Sequence, residues 1–323
     1  MKKSRSKLFL SFVIVVVVSF LFVIIGCRGG RQENSSLRSG SEELVKITHA
    51  LGTVKVVKNP QRVVVLDYSE LENLEYLGIK PVGVPKSNLP SHLSKYKDDT
   101  TVIDVGSITE INLERVNEAR PDLIIIGNRL IDFYDQLSVI SPVIYPTSVV
   151  TEDFMVAFES NLDDLALLFD MQDEIDNAKS EIRSKIENVR SLTGTSDDKA
   201  LILLHNRGRF SAYGKGSRFG IVHDVLNVAE AAEGLSVHRH GSPVSSEFIQ
   251  KANPDIIFIV DRSRVVDNEV TNIDEIENIL IKGTNAAKNE RIYYLNPEIW
   301  YLSGSGVESV NVMLDEIEQA FLK

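Results

Sequence analysis

One cysteine in 323 residues excludes an intramolecular disulfide, and with it the small secreted folds that disulfides staple together. Positive charge is in short supply: 35 Lys and Arg stand against 46 Asp and Glu, and the resulting −11 counts against a nucleic-acid partner. Six histidines in scattered segments are too few and too dispersed to nominate a metal centre of three or four ligands. Beyond residue 25 no second apolar run is long enough to cross a bilayer, so the body is not a bundle of membrane spans. What is present, 43% apolar and 25% charged residues, describes a globular chain with length for one large core or two smaller ones.

The first seven residues carry Lys2, Lys3, Arg5 and Lys7 with no acid, and from Leu8 to Ile25 only Ser11 and Ser19 interrupt an apolar run. That is the pattern of a secretory signal. It closes on Ile24-Ile25-Gly26-Cys27, which is similar to the lipoprotein processing box of bacteria, where cleavage leaves the cysteine as a lipid-bearing first residue. An uncleaved membrane anchor is the alternative, and both put the body on the extracytoplasmic face of the membrane. Loss of residues 1–26 would take the net charge from −11 to −15. Positions 28–43, rich in Gly, Ser and charge, read as a flexible tether.

In the body, short β-branched runs alternate with helical patterns: Arg62-Leu66, Leu123-Ile126, Val143-Tyr145, Ala200-Leu204, Ile256-Val260 and Ile292-Leu295. Continuous apolar strands between helices imply parallel sheets covered on both faces. Val45-Thr48 and Thr53-Val57 predict a hairpin ahead of them. A charged helical stretch, Gln172 to Ser191, separates the two strand-rich halves. The expected organisation is a signal peptide at 1–26, a tether at 27–44, an N-terminal α/β lobe at 45–171, a bridging helix at 172–191 and a C-terminal α/β lobe at 192–323.

Sliding the chain along itself by 133 positions aligns Asn112–Arg129 with Ser245–Arg262, and seven of the 18 positions are identical, among them Pro121/Pro254, Asp122/Asp255 and Arg129/Arg262. In each copy a helix ends at a Pro-Asp turn, an apolar strand follows and an arginine stands just beyond it. Ligands of open parallel sheets bind outside those strand ends. Two facing lobes would therefore aim Arg129 and Arg262 into one cleft; the competing reading is a pair of surface charges at loop starts.

Other segments are weaker. The glycine-rich stretch Phe210–Gly220 has neither the phosphate-loop ending nor Rossmann glycine spacing, and is better read as a loop presenting Arg218 at a helix start. The pair His238/His240 lacks a third ligand nearby. Ser303-Gly304-Ser305-Gly306 does not match a nucleophile elbow, and no nucleophile and base pair emerges, so no catalytic residues are nominated and an extracellular enzyme is the remote alternative.

Lipobox and tether, the NPQRVVVLD strand, LEYLGIKPVGV, the repeated ARPDLIIIG and ANPDIIFIV segments, and SAYGKGSRFGIVHDVL together resemble the ferric-siderophore-binding lipoproteins of bacterial ABC importers. The likeness runs from about Val45 to Lys323 and is strongest to the subgroup that takes catecholates such as petrobactin. The resemblance implies two Rossmann-like α/β lobes joined by a single long helix, a shallow cleft, little hinge motion and no enzymatic activity. It implies three ligand-binding arginines at Arg129, Arg218 and Arg262, a further basic contact at Lys86, and a histidine and tyrosine, His240 and Tyr301, that complete the coordination of an incompletely chelated iron. It also implies permease-docking glutamates at Glu72 and Glu247, with Glu70 and Glu75 as rivals to Glu72, and lipidation at Cys27. Implied partners are the ferric siderophore, a permease with its cytoplasmic ATPase, and the membrane through the lipid, with no resident cofactor, no nucleic acid and a monomeric state. Haem, cobalamin or a bare metal ion are rival ligands for the same architecture.

Arginine suits such a ligand on physical grounds. A ferric tris-catecholate spreads about three negative charges over its oxygens, and guanidinium offers five N–H donors in a plane and stays charged at any relevant pH.

Overall fold

The computed structural model describes residues 43–149, 153–236 and 240–322. The signal peptide, Cys27, the tether up to residue 42 and His238 lie outside the described residues, and Leu44, expected as the tether's last residue, opens the first strand. Among the described residues no helix is long and apolar enough to cross a membrane.

A hairpin of β1 (Leu44–His49) and β2 (Gly52–Val57) comes first, antiparallel as its two alternating runs predict. The N-terminal lobe then builds a five-stranded sheet from β3 (Val63–Val65), β4 (Gly83–Val84), β5 (Ile103–Asp104), β6 (Leu123–Ile125) and β7 (Val143–Ile144). Its order is β5-β4-β3-β6-β7 and every pair is parallel. The C-terminal lobe uses β8 (Lys199–Asn206), β9 (Arg209–Tyr213), β10 (Ala229–Glu230), β11 (Ser242–Val244), β12 (Ile256–Asp261) and β13 (Ile292–Leu295). Here the order is β11-β9-β8-β12-β13, with β10 alongside the start of β8. Buried residues on alternate sides of β8 belong to separate clusters, Leu201 and Leu203 to one, Ile202 and Leu204 to the other, so both faces are covered.

The expectation of wholly parallel sheets needs correction in the second lobe, where β9 and β11 run antiparallel. Arg207 and Gly208, at φ 49° and 74°, form the two-residue turn that folds β9 back on β8. Successive positive φ values match the twist of a tight hairpin. The segment from Phe210 to Tyr213 is thus strand, and the loop expected from 210 to 220 begins only after it.

The six principal helices are α1 (Tyr68–Tyr76), α2 (Leu113–Glu118), α3 (Phe154–Phe169), α4 (Gln172–Thr193), α5 (Ser246–Ala252) and α6 (Val307–Phe321). The helix expected at 172–191 is α4, two residues longer. Its buried Ile175, Ala178, Ile182, Ile186 and Val189 recur at three- and four-residue intervals, one apolar stripe. Its solvent side bonds outward to its neighbours through Arg183 to Glu159 of α3 and Lys185 to Asp315 of α6.

The internal repeat is a repeat of structure. Asn112 and Ser245 cap α2 and α5 by accepting from the amides of Arg115 and Phe248. Arg120 and Asn253, equivalent under the repeat, end the helices at φ 44° each. Asp122 accepts from the amides of Gln61 and Arg62, and Asp255 from that of Lys199, pinning β6 beside β3 and β12 beside β8. The shared Asp is therefore accounted for by folding, whereas nothing in the strand geometry calls for Arg129 or Arg262.

Candidate functional site

A cavity of about 560 Å³ opens between the carboxyl ends of the two sheets. One wall comes from residues just after β3, β6 and β7, among them Asp67, Arg129 and Thr147; the other comes from β8, β9 and the residue after β12, Arg262. That is where an α/β sheet positions ligands. The floor includes Trp300 and Tyr301, on a helical turn at Glu298–Leu302.

Three arginines converge on Tyr301. Their guanidinium carbons lie 5.6 Å (Arg129), 4.9 Å (Arg218) and 5.5 Å (Arg262) from its ring centroid. Arg129 donates from Nη2 to the Tyr301 carbonyl at 2.6 Å and Arg218 donates to the same oxygen at 3.0 Å. Arg262 donates from Nε to the Tyr301 hydroxyl at 2.8 Å and from Nη1 to Asn206 Oδ1 at 2.9 Å. The ring face and these oxygens hold three like charges together at half-buried positions. Arg129 and Arg262 are held by backbone carbonyls, a hydroxyl and an amide oxygen, none of them charged, so these two keep their positive field for a ligand.

Burial shifts the acids beneath the cluster. Burial pushes Glu70 up to about 8, with the charge of neighbouring Asp67 adding to the effect, so Glu70 is neutral at pH 7. Burial also raises Asp67, against the opposing pull of the Arg129 guanidinium. Asp67 caps α1 by accepting from the amides of Ser69 and Glu70, and it sits where a side chain at Gly127 would have to go. A glycine at 127 is what lets the β6 wall approach the cap. Across the cavity, Tyr213 is pushed up to about 12 by burial, against the nearby Arg218, and remains a phenol.

Of the expected site residues, Arg129, Arg218, Arg262, His240 and Tyr301 line this one cavity. Lys86 does not: its ammonium donates to the Asp99 carbonyl at 2.8 Å, away from the lining. Glu72 is corrected as a docking residue. It is 3% exposed, and its carboxylate accepts from His92 at 2.7 Å and from the amide and hydroxyl of Ser309 at 2.9 and 2.7 Å. Glu70 is equally buried, and Glu75 is tied to Lys95. Glu247 is exposed in the first turn of α5, and so is Glu114, its equivalent under the repeat, in α2.

Sequence reasoning missed Asn206, which orients Arg262, and Arg209, which lines the cavity from β9. The signal was the alternation Arg209-Phe210-Ser211-Ala212-Tyr213 after Arg-Gly, obscured by the glycines that follow. Among the described residues no group of three or more His, Cys, Asp or Glu is placed to hold a metal ion.

A two-lobed α/β receptor with a cationic cleft at its strand ends is a solute-binding architecture, and residues 63–299 match the periplasmic binding protein family, to which the chain belongs. It is 37% identical over 317 residues to the petrobactin-binding protein YclQ of Bacillus subtilis, covering 97% of this chain and 99% of that one. The ferric-anguibactin-binding protein FatB of Vibrio anguillarum is 31% identical over 97% of this chain and 98% of its own. Among solved structures, YclQ superposes with a TM-score of 0.84 at 36% identity, covering 87% of this chain and 99% of YclQ. The catecholate-siderophore binding protein VctP of Vibrio cholerae gives 0.81 at 30%, over 86% of this chain and all of VctP.

Proposed function

We propose that this protein is the extracytoplasmic receptor of an ABC importer and captures an anionic ferric siderophore, of the catecholate or mixed catecholate-citrate type, in its inter-lobe cleft. The observation that carries the reading is the convergence of Arg129, Arg218 and Arg262 within 6 Å of one phenol ring in an open cavity. Each charge-assisted hydrogen bond contributes roughly 1.5–3 kcal/mol, and three arginines account for much of a nanomolar affinity of about −12 kcal/mol. The ligands for which YclQ and VctP are named, petrobactin and catecholate siderophores, support the same class. Tyr301 and His240 face the same space and supply a phenol and an imidazole to a ferric ion whose chelator leaves positions open.

The protein binds and does not transform its ligand; the lipid on Cys27 holds it at the membrane; Glu114 and Glu247, exposed and related by the repeat, meet basic residues of the permease. The sole tryptophan, Trp300, is 1% exposed and lines the cavity, so the test is built in. Ferric petrobactin added to the mature protein should quench its fluorescence at submicromolar concentration. No quenching at micromolar ligand, with haem or cobalamin perturbing the spectrum instead, would overturn the assignment.

A further inference from the structure

The cleft holds a fourth arginine whose position differs in kind from the other three. Arg209 opens β9, and Arg209, Ser211 and Tyr213 all line the cavity at the two-residue period of one strand face. Tyr213 is at the bottom, 1% exposed and beside Arg218 and Phe219, whereas Arg209 is exposed. Four residue steps along the strand separate them, roughly 14 Å from floor to mouth. Arg209 is the cross-strand partner of Asn206, the residue that holds the Arg262 guanidinium. It therefore stands next to the cationic cluster but outside it. The three inner arginines are tied to Tyr301, and Arg262 to Asn206 as well; no such contact holds Arg209 among the described residues.

Three inner guanidinium groups match the charge of a trianionic iron-catecholate core. A fourth cation at the mouth has no partner in such a core, and it is in reach of whatever the ligand carries on its periphery. Resting on the siderophore reading above, we propose that Arg209 is a specificity-determining residue that binds a carboxylate lying outside the iron's coordination sphere, so that the cleft prefers carboxylated catecholates over plain ones. An exposed arginine and carboxylate form a two-pronged pair, modest in strength and sensitive to salt.

The test uses two ferric complexes with the same core, a tripodal tris-catecholate and the same ligand bearing a carboxylate on each ring, titrated against Trp300 fluorescence. The wild-type protein should prefer the carboxylated complex, and Arg209→Gln should cut that preference about fivefold. The wild-type preference should itself shrink between 50 mM and 500 mM salt. Arg262→Ala should weaken both complexes alike and keep the preference. A wild type without preference, or an Arg209→Gln variant with its preference intact, overturns the role of Arg209 while leaving the siderophore reading standing. A wild type that binds neither complex overturns both.

Discussion

Replacing Arg262 with alanine tests the site at its most constrained member. Of the five N–H groups of its guanidinium, one is given to the Tyr301 hydroxyl and one to Asn206 Oδ1, which leaves three for a ligand in a fixed plane. To the extent that those two protein contacts persist in the bound state, their loss affects stability and cancels from affinity. What does not cancel is at least one charge-assisted bond to the siderophore, about 1.5–3 kcal/mol, which corresponds to a loss of about 13- to 160-fold in Kd. Lysine at 262 keeps the charge but cannot span Tyr301 and Asn206 while addressing the ligand, so Arg262→Lys should retain only part of the affinity, about tenfold below wild type. Titration of Trp300 fluorescence with ferric petrobactin reads all three proteins, since the chromophore is in the cavity wall and there is no second tryptophan. A Kd for Arg262→Ala within twofold of wild type would refute the reasoning, because a guanidinium so placed would then be held by Tyr301 for structural reasons alone.

Glu70 predicts an unusual pH dependence of stability. Its carboxyl is held protonated to about pH 8 in the folded chain but ionises near 4.5 when unfolded, so the folded state binds more protons between those values and loses stability as pH rises. Glu70→Gln removes the loss. Its advantage over wild type in urea unfolding should grow from near zero at pH 4.5 to a few kcal/mol at pH 8, at about 1.4 kcal/mol per pH unit, and an advantage that does not change with pH would refute the assignment. Glu114→Lys with Glu247→Lys should abolish siderophore-dependent uptake by cells yet leave binding by the purified protein unchanged; normal uptake would remove both from the docking surface. Cys27→Ala should release the protein from the membrane fraction into the medium or periplasm, and continued membrane association would favour the uncleaved anchor.

Much of the fold was legible because its signals are local. Strands β3, β6, β7, β8, β12 and β13 are short apolar runs between helices, and the repeat marked β6 and β12 as equivalent with an arginine beyond each. The residues that were misread depend on distant partners. Glu72 lies in an ordinary helical pattern, and only the arrival of Ser309, 237 residues later, turns it into a buried acceptor. Lys86 is spent on a carbonyl 13 residues along. β9 was missed because Arg-Gly is a weaker hairpin signal than Asn-Gly, and the glycines after Tyr213 drew the whole stretch into one loop.

The hydrogen bonds between α1 with its following segment and the chain from 298 to 309 set how this receptor meets its ligand in time. Ser91 donates to Glu298, Ser305 to Ser69, the Val307 amide to Asn73, and Ser309 to Glu72, with Gly306 leaving room for the Glu72 carboxylate. At about 1 kcal/mol each, breaking them together would leave an opened form populated in roughly one molecule per thousand. Capture routed through that form would be slowed by the same factor. Ligand that enters with the lobes as they stand, through the open cavity, avoids that penalty. Encounter is then limited by diffusion and by the pull of the cleft's positive field on an anion, and discrimination between ligands falls to how long each one stays.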